Sequence, residues 1–391
     1  VKSLANKVFV TDGYWRKTLA VIRALAEKDL KIGTGERTPF APALFSRYAC
    51  QKYVYPSVRR KPAEFLAWLE KTVKRDKYDV LITPEEETTL LIAKNKDRVE
   101  RFIKIAVPDY EKILYARDKF QVLREAAKVK VSAPKTSCVS SFRDIKNNLD
   151  GLQYPLVLKP RIGTGARGIR YVHKNEDFQE LEKGLFEKYG DFLIQEYVPG
   201  DEYYGVSVIF NKANKMRGAF VHKKIRQYPI TGGVSTYAMS VKHPELVELS
   251  EKILESIGWY GIANIEFKID MRDNTPKLME INPRLWGSLH LAVKSGINFP
   301  SMLYQLALKG DVDDAFDYRE GVKLRWLMQG DLLSFASSMI RKHNIDWKFF
   351  KFHEKDMHYA ILSLSDPLPV LGKMLSLIDY CTSKEMRRFH G

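Results

Sequence analysis

Three oxygen-bearing side chains and an arginine stand out by their spacing. In NIEFKIDMRDNTPKLMEINPR, residues 264–284, apolar and polar residues alternate on both sides of a turn-forming RDNTP segment, the pattern of a β-hairpin. A turn centred on Asp273 sets residue 266 opposite residue 280, and period-two alternation then places Glu266, Glu280 and Asn282 on one face. Directly opposed side chains have Cβ atoms about 5 Å apart, so two carboxylates there repel unless a cation lies between them. Magnesium suits that place, because it is a hard cation that joins one or two carboxylates to substrate phosphates. Manganese is the alternative. Arg284 extends the same polar face and offers a phosphate partner. Glutamates splayed into water are the competing reading, and a one-residue slip in register would turn the whole set away.

A second constellation is LVLKPRIGTGARGIRYV, residues 156–172, with Gly163, Gly165 and Gly168 between two runs of β-type residues. No GK[ST] and no helix follow, since Ile169 to Val172 continues as strand, so a Walker loop is excluded. The glycines form a hairpin tip whose amides can approach phosphate oxygens, and Lys159 and Arg167 supply positive charge. An ordinary surface hairpin explains the loop alone equally well, because glycine is the default turn residue.

The elements that must position these groups follow from the flanking patterns. The chain has 391 residues, enough for two or three compact units. Lys7 to Val10 reads as a strand, with a turn at Asp12 and Gly13 and then a helix carrying Leu19, Ile22, Leu25 and Ala26 on its apolar face. Tyr78 to Thr83 is a second apolar run, followed by Pro84 and three glutamates that suit a helix start. Residues 1–113 therefore read as a small α/β domain, without GxGxxG and hence without a dinucleotide site. Residues 114–190 contain a helix Arg117 to Ala127, an extended stretch Val129 to Thr136, a further helix from about Ser141 and the glycine hairpin. Residues 191–310 are rich in strand patterns up to Pro283. Residues 311–391 read as mostly helical, with Trp326, Trp347, Phe349 and Phe350 as buried anchors.

Composition narrows the function classes. Apolar residues make up 45% and charged residues 29%, which is ordinary globular usage. Cys50, Cys138 and Cys381 are far apart and odd in number, so neither a disulfide framework nor a zinc site is expected, and the cytoplasm fits best. No apolar stretch reaches membrane-spanning length, and VKSLANKVFV lacks a signal peptide's apolar region, so no membrane association is expected. The formal charge of +16 favours anionic partners. The basic residues are dispersed and lack a recognition motif, which weighs against specific nucleic-acid binding.

Together the motifs resemble the ATP-grasp superfamily. Asp118 and Lys119, LVLKP ending in Lys159 and Pro160, GTGARG, QEYVPGDE, NIEF and MEINPR occur in that family's order across about residues 110–310. The resemblance implies ATP held between two α+β lobes under a glycine-rich lid, preceded by a small α/β domain and followed by a helical tail. By the same resemblance Lys119 and Lys159 contact ATP phosphates, with Lys159 near the adenine. Glu196, Tyr197 and Val198 form the hinge that reads adenine, and Glu202 holds the ribose hydroxyls. Glu266, Glu280 and Asn282 match magnesium ligands, and Arg284 matches the arginine that steadies the transferred phosphoryl group.

HKKIRQYPITGGVST and INPRLWGSLHLAVKSGINFP look most similar to the carboxylate-amine ligase and carbamoyl-phosphate-synthase-like branch. That likeness turns Lys223, Lys224 and Arg226 toward phosphate or substrate and sets Thr231 to Thr236 beside the reacting carboxylate. His222 and His290 receive no role. The implied activity is ADP-forming ligation of a small carboxylic acid to an amine, with ATP and magnesium, in a protein that could pair as a homodimer. Bicarbonate activation and a catalytically silent ATP-binding regulator are the alternatives.

Overall fold

The computed structural model describes residues 6–163, 165–181, 184–230, 232–341 and 345–382. Strands β1 (Lys7–Val10), β2 (Lys31–Glu36), β3 (Ala49–Val54), β4 (Val80–Ile82) and β5 (Lys104–Ile105) form a parallel sheet in the order β3-β2-β1-β4-β5. A parallel sheet is stable when both faces are covered, and β1 shows how. Val8 and Val10 pack with Ile22 and Leu25 of the helix Arg16–Ala26, while Phe9 packs on the other face with Phe65 and Leu69 of the helix Pro62–Asp76.

The next unit is an antiparallel sheet of β6 (Thr136–Val139), β7 (Leu156–Pro160), β8 (Arg170–Val172) and β9 (Phe192–Glu196), ordered β6-β9-β7-β8. Leu156 and Leu158 enter its core, so alternation turns Val157 and Lys159 to the opposite face. The glycine segment joins β7 to β8 as a hairpin, as expected, although Thr164 lies outside the described residues. The helix Lys119–Lys128 begins at Asp118, whose carboxylate accepts from the backbone N–H groups of Phe120 and Gln121. The separate helix Tyr110–Arg117 runs across the boundary read at 113/114.

The largest sheet has seven strands: β10 (Tyr203–Phe210), β11 (Met216–Tyr228), β12 (Val234–Ser240), β13 (Gly261–Asp270), β14 (Thr275–Asn282), β15 (Lys323–Arg325) and β16 (Met357–Tyr359). Their order is β14-β13-β10-β11-β12-β15-β16. The last two strands belong to the segment expected to be mostly helical, so the sheet does not end at residue 310. β15 pairs with β12, which would otherwise be an open edge. Among the described residues the α-helices of that segment are Leu332–Arg341 and Pro369–Thr382, with short helical turns at Leu327–Asp331 and Trp347–Phe350. Phe349 is buried there, but Trp347 and Phe350 are 63% and 56% exposed, against the expectation of four buried anchors. Among the described residues no helix is long and apolar enough to cross a membrane.

Candidate active site

The antiparallel sheet and the seven-stranded sheet face each other across a cleft. Val157 and Lys159 of β7 line one wall, and Tyr203, Lys224, Glu266, Lys268 and Glu280 line the other. In β13, Ala263, Ile265, Phe267 and Ile269 point into the core, so alternation leaves Glu266 and Lys268 to the cleft. Glu266 pairs directly with Glu280, and Asn264 with Asn282. The hairpin tip spans Asp270 to Thr275, and its register, followed without interruption, would oppose Glu266 with Met279. A one-residue bulge between Leu278 and Glu280 corrects this, leaving Leu278 and Ile281 in the core and Glu280 and Asn282 facing the cleft.

Lysines balance the two carboxylates. Lys224 Nζ is 2.6 Å from Glu266, and Lys119 Nζ is 3.6 Å from Glu280 and donates to the Gly163 carbonyl at 2.7 Å. The Asn282 amide donates to Glu280 at 3.0 Å and to Glu266 at 3.4 Å. Burial works to raise the Glu280 carboxyl, but Lys119, the Asn282 amide, Lys159 and Lys224 together hold it below its ordinary range. Lys159 is 6% exposed and makes no hydrogen bond or ion pair among the described residues. Burial, reinforced by Lys119 and opposed by Glu280 and Glu266, lowers its ammonium to about 8. A buried cation without a partner at a cleft wall is prepared for an anion from solution.

Among the described residues no three His, Cys, Asp or Glu side chains converge as metal ligands. Two opposed carboxylates and one amide are nevertheless a fitting protein share for magnesium, which commonly takes one or two carboxylates and completes its shell with phosphate oxygens and water.

The expected hinge residues Glu196, Tyr197 and Val198 also line the cleft, together with Val157 and Ile169. Gly163 and Gly165 line it as well, whereas Gly168 packs against Pro160 and Tyr189 instead. Arg284 sits where the cleft opens into a second cavity, donating to the Asn282 side-chain oxygen at 3.2 Å and lying 3.6 Å from Glu86. Thr231 lies outside the described residues.

Besides Gly168, the expected site residues Glu202, Lys223 and Arg226 are placed elsewhere. Glu202 pairs with Lys223, accepts from the Tyr204 hydroxyl at 3.0 Å and does not line the cleft. It precedes Tyr203, which does line the cleft, so alternation turns its side chain away. Asp201 does not line the cleft either, but it borders a neighbouring pocket with Tyr203 and Lys224, and its charge acts on Lys268, Tyr203 and Tyr197. Arg226 is held by Asp331 at 2.6 and 2.8 Å and by Asp346 at 2.6 Å, outside the cleft lining. A bulge between Lys224 and Arg226 breaks alternation in β11, so only Lys224 reaches the carboxylates.

Lys268 is a cleft residue that motif reading passed over. Its ammonium lies 4.6 Å from the ring centroids of both Tyr197 and Tyr203, and burial lowers it to about 8 against the pull of Asp201 and Asp270. Its signal was available, since it stands two residues beyond Glu266 on the same strand face. His222 is buried, hydrogen bonded to Ser288 at 3.1 Å and kept neutral by burial and by Lys224, which together push it down to about 3.

Comparisons with known proteins agree with this layout. Residues 188–330 match the family described as ATP-grasp in the biosynthetic pathway with Ter operon. N5-carboxyaminoimidazole synthetase from Staphylococcus aureus superposes with a TM-score of 0.67 at 18% identity, covering 91% of each chain, and its ADP complex does so equally. The chain has the ATP-grasp fold. The chain is also 26% identical over 159 residues to D-alanine–D-alanine ligase of Wolbachia pipientis wMel, covering 39% of the chain and 50% of that ligase. It is 24% identical over 272 residues to the carbamoyl phosphate synthase large chain of Thermotoga neapolitana, covering 66% of the chain and 25% of that protein. The chain thus spans half the length of the first curated relative and a quarter of the second.

Proposed function

We propose that the protein is an ADP-forming carboxylate-amine ligase that binds ATP in the cleft and activates a small organic acid as an acyl phosphate. The observation that carries this reading is Lys159, buried and without a hydrogen-bond or ion-pair partner among the described residues, facing the opposed Glu266 and Glu280. That combination suits a nucleotide's phosphate tail arriving with its cation. Glu196, Tyr197 and Val198 would hold the adenine end. Lys119, Lys159 and the backbone around Gly163 would hold the phosphates.

A carboxylate is a poor acyl donor because its charge resists attack and oxide is a poor leaving group. In the first step a substrate carboxylate oxygen bonds to the γ-phosphorus, the bridging oxygen bond breaks, and ADP carries away that electron pair. In the second an amine nitrogen bonds to the acyl carbon, inorganic phosphate leaves, and the nitrogen gives up a proton. The protein's task is alignment and neutralisation of spreading charge. Arg284, at the junction of the two cavities, is the group that would touch both the transferred phosphoryl group and the acid. Glu266, Glu280 and Asn282 would hold magnesium, which neutralises phosphate charge. The glycine hairpin would exclude water from the acyl phosphate. Relatives named as D-alanine–D-alanine ligase and D-aspartate ligase support amine capture of a carboxylate. A cytoplasmic setting belongs to the same reading, with Cys50 and Cys138 both free thiols.

The test is ATP, magnesium and the purified chain with a panel of organic acids, using hydroxylamine as a general acyl-phosphate trap. A hydroxamate formed with equimolar ADP from at least one acid is the expected result. ADP release with bicarbonate alone would replace ligation by carboxyphosphate chemistry, and nucleotide binding without any ADP release would leave a silent regulator.

A further inference from the structure

Next to the nucleotide cleft lies a second cavity of about 430 Å³, and Arg167, Val234 and Arg284 border both. Its further wall is cationic and aromatic. Arg16 and Lys17 come from the start of the helix Arg16–Ala26, Trp326 follows β15, and Lys373 comes from the helix Pro369–Thr382. Among the described lining residues the sole acid is Glu85, which is already paired with Lys17 at 2.8 Å.

Among the described residues Arg16 and Lys373 have no such counter-charge. Arg16 donates through Nη2 to the Ser235 carbonyl at 2.9 Å, its guanidinium lies 3.9 Å from the Trp326 ring centroid, and Nη1 has no hydrogen-bond partner among the described residues. Lys373 is 6% exposed, and its ammonium stands 4.2 Å from the Tyr14 ring centroid with no hydrogen bond or ion pair of its own among the described residues. Burial lowers Arg16 to about 9, and burial together with the charge of Arg16 lowers Lys373 to about 8.

The surrounding backbone is fitted to hold these cations in place. A Cβ on Gly287 would lie 2.4 Å from Arg16 Nη2, and one on Gly372 would lie 2.5 Å from the Phe45 ring. The second of these close approaches seats the C-terminal helix on the N-terminal domain and delivers Lys373 to the cavity. Two neighbouring cations, Lys373 buried and Arg16 half-buried, with no acid beside them among the described residues, are costly to hold together, and an incoming anion offsets that cost. Flanking tryptophan rings suit an apolar or planar body.

We propose that this cavity binds the organic substrate and that Arg16 and Lys373 take a second anionic group on it, a carboxylate or a phosphate, remote from the carboxylate that meets Arg284. The identity of the reacting end rests on the ligase reading, but recognition of the second charge does not. The substrate class is then an acid with two anionic ends, and the C-terminal helix is a part of its site.

Binding is read without nucleotide from the fluorescence of Trp15 and Trp326, titrating the full chain with propionate, succinate, glutarate and 3-phosphonopropionate. At least one dianion binds tenfold or more tightly than propionate, and the better of the carboxylate and phosphonate series identifies the second group. Lys373→Met and Arg16→Met each reduce that preference below threefold, while Lys373→Arg retains it, with thermal melting as a check that the variants fold. Equal binding of propionate and the dianions, no response to any dianion, or a preference that survives both methionine variants overturns the proposal. The hydroxylamine assay on the same acids separates the two readings. Selective, Lys373-dependent binding with no hydroxamate from any acid sinks the ligase and leaves the anion site standing. Hydroxamate formed from propionate as readily as from the dianions does the reverse.

Discussion

Glu280 meets Glu266 because β14 spends one extra residue between Leu278 and Glu280. The bulge keeps both Leu278 and Ile281 in the core while turning the acid between them to the cleft. Lys119, Lys159 and Lys224 surround that acid, so its removal should leave an excess of positive charge. Glu280→Gln is expected to lower magnesium-dependent ADP release by at least ~100-fold, the scale on which losing one transition-state electrostatic contact is felt. Affinity for metal-free ATP should rise in the same protein, because a repelling carboxylate has gone. Calorimetry with and without magnesium, beside a phosphate-release assay, checks both halves. Undiminished turnover would remove Glu280 from the metal set.

Lys159 gives a pH signature. Its ammonium is lowered to about 8, mainly by burial, so it is charged at pH 7 and largely neutral at pH 9 in the empty protein. An anion binds the charged form, and affinity must therefore fall as pH rises through that range. If the neutral amine contributes nothing, ATP affinity drops about tenfold between pH 7 and 9 from this group alone. Lys268, also lowered to about 8 chiefly by burial, adds to the slope. Lys159→Arg keeps its charge at every pH in the range, and its calorimetric pH profile should be visibly flatter. Identical profiles in both proteins would exclude Lys159 from the phosphate site.

The hinge acid can be assigned by comparing neighbours. Glu202 is engaged by Lys223 and Tyr204 away from the cleft, whereas the charge of Asp201 reaches Lys268, Tyr203 and Tyr197. Asp201→Asn should weaken nucleotide binding by about tenfold, roughly the loss of one charge-assisted hydrogen bond. Glu202→Gln should change it less than about threefold, as expected for an exposed pair. The opposite ranking, measured by calorimetry with ADP, would restore Glu202 as the ribose acid.

What the sequence made legible followed local rules. β1 and its helix, the glycine hairpin and the polar face of Glu266, Glu280 and Asn282 are all set by periodicity and turn chemistry. The Glu266–Glu280 pairing was reached with a turn centred on Asp273, but the tip is centred half a residue earlier and the Met279 bulge restores the match. Alternation carries no mark of a bulge. The same limit misplaced Arg226, which sits two residues after Lys224 in sequence but on the far side of a bulge in β11. Long-range closure was illegible for a different reason. Nothing local in VKLRWL or PLPVLGKML says that one supplies an edge strand to a distant sheet or that the other sets Lys373 over Tyr14.

Arg226 should prove a stability residue. It shares the fully buried Asp331 with Arg325, whose Nε lies 2.5 Å from that carboxylate, and it also holds Asp346. This cluster pins the segment after β15 to β11, beside the helix Leu332–Arg341. Removing one partner of a buried pair costs roughly 3–5 kcal/mol when a charge is left alone, and Arg325 still neutralises part of Asp331. Arg226→Ala is therefore expected to destabilise the protein by about 3 kcal/mol in a urea melt. Its ATP affinity should stay within about twofold of wild type when measured well below the melt, because none of the broken contacts faces the nucleotide cleft. A variant that melts like wild type but has lost ADP release would return Arg226 to the reacting groups, and would mean that β11 rearranges when substrate binds.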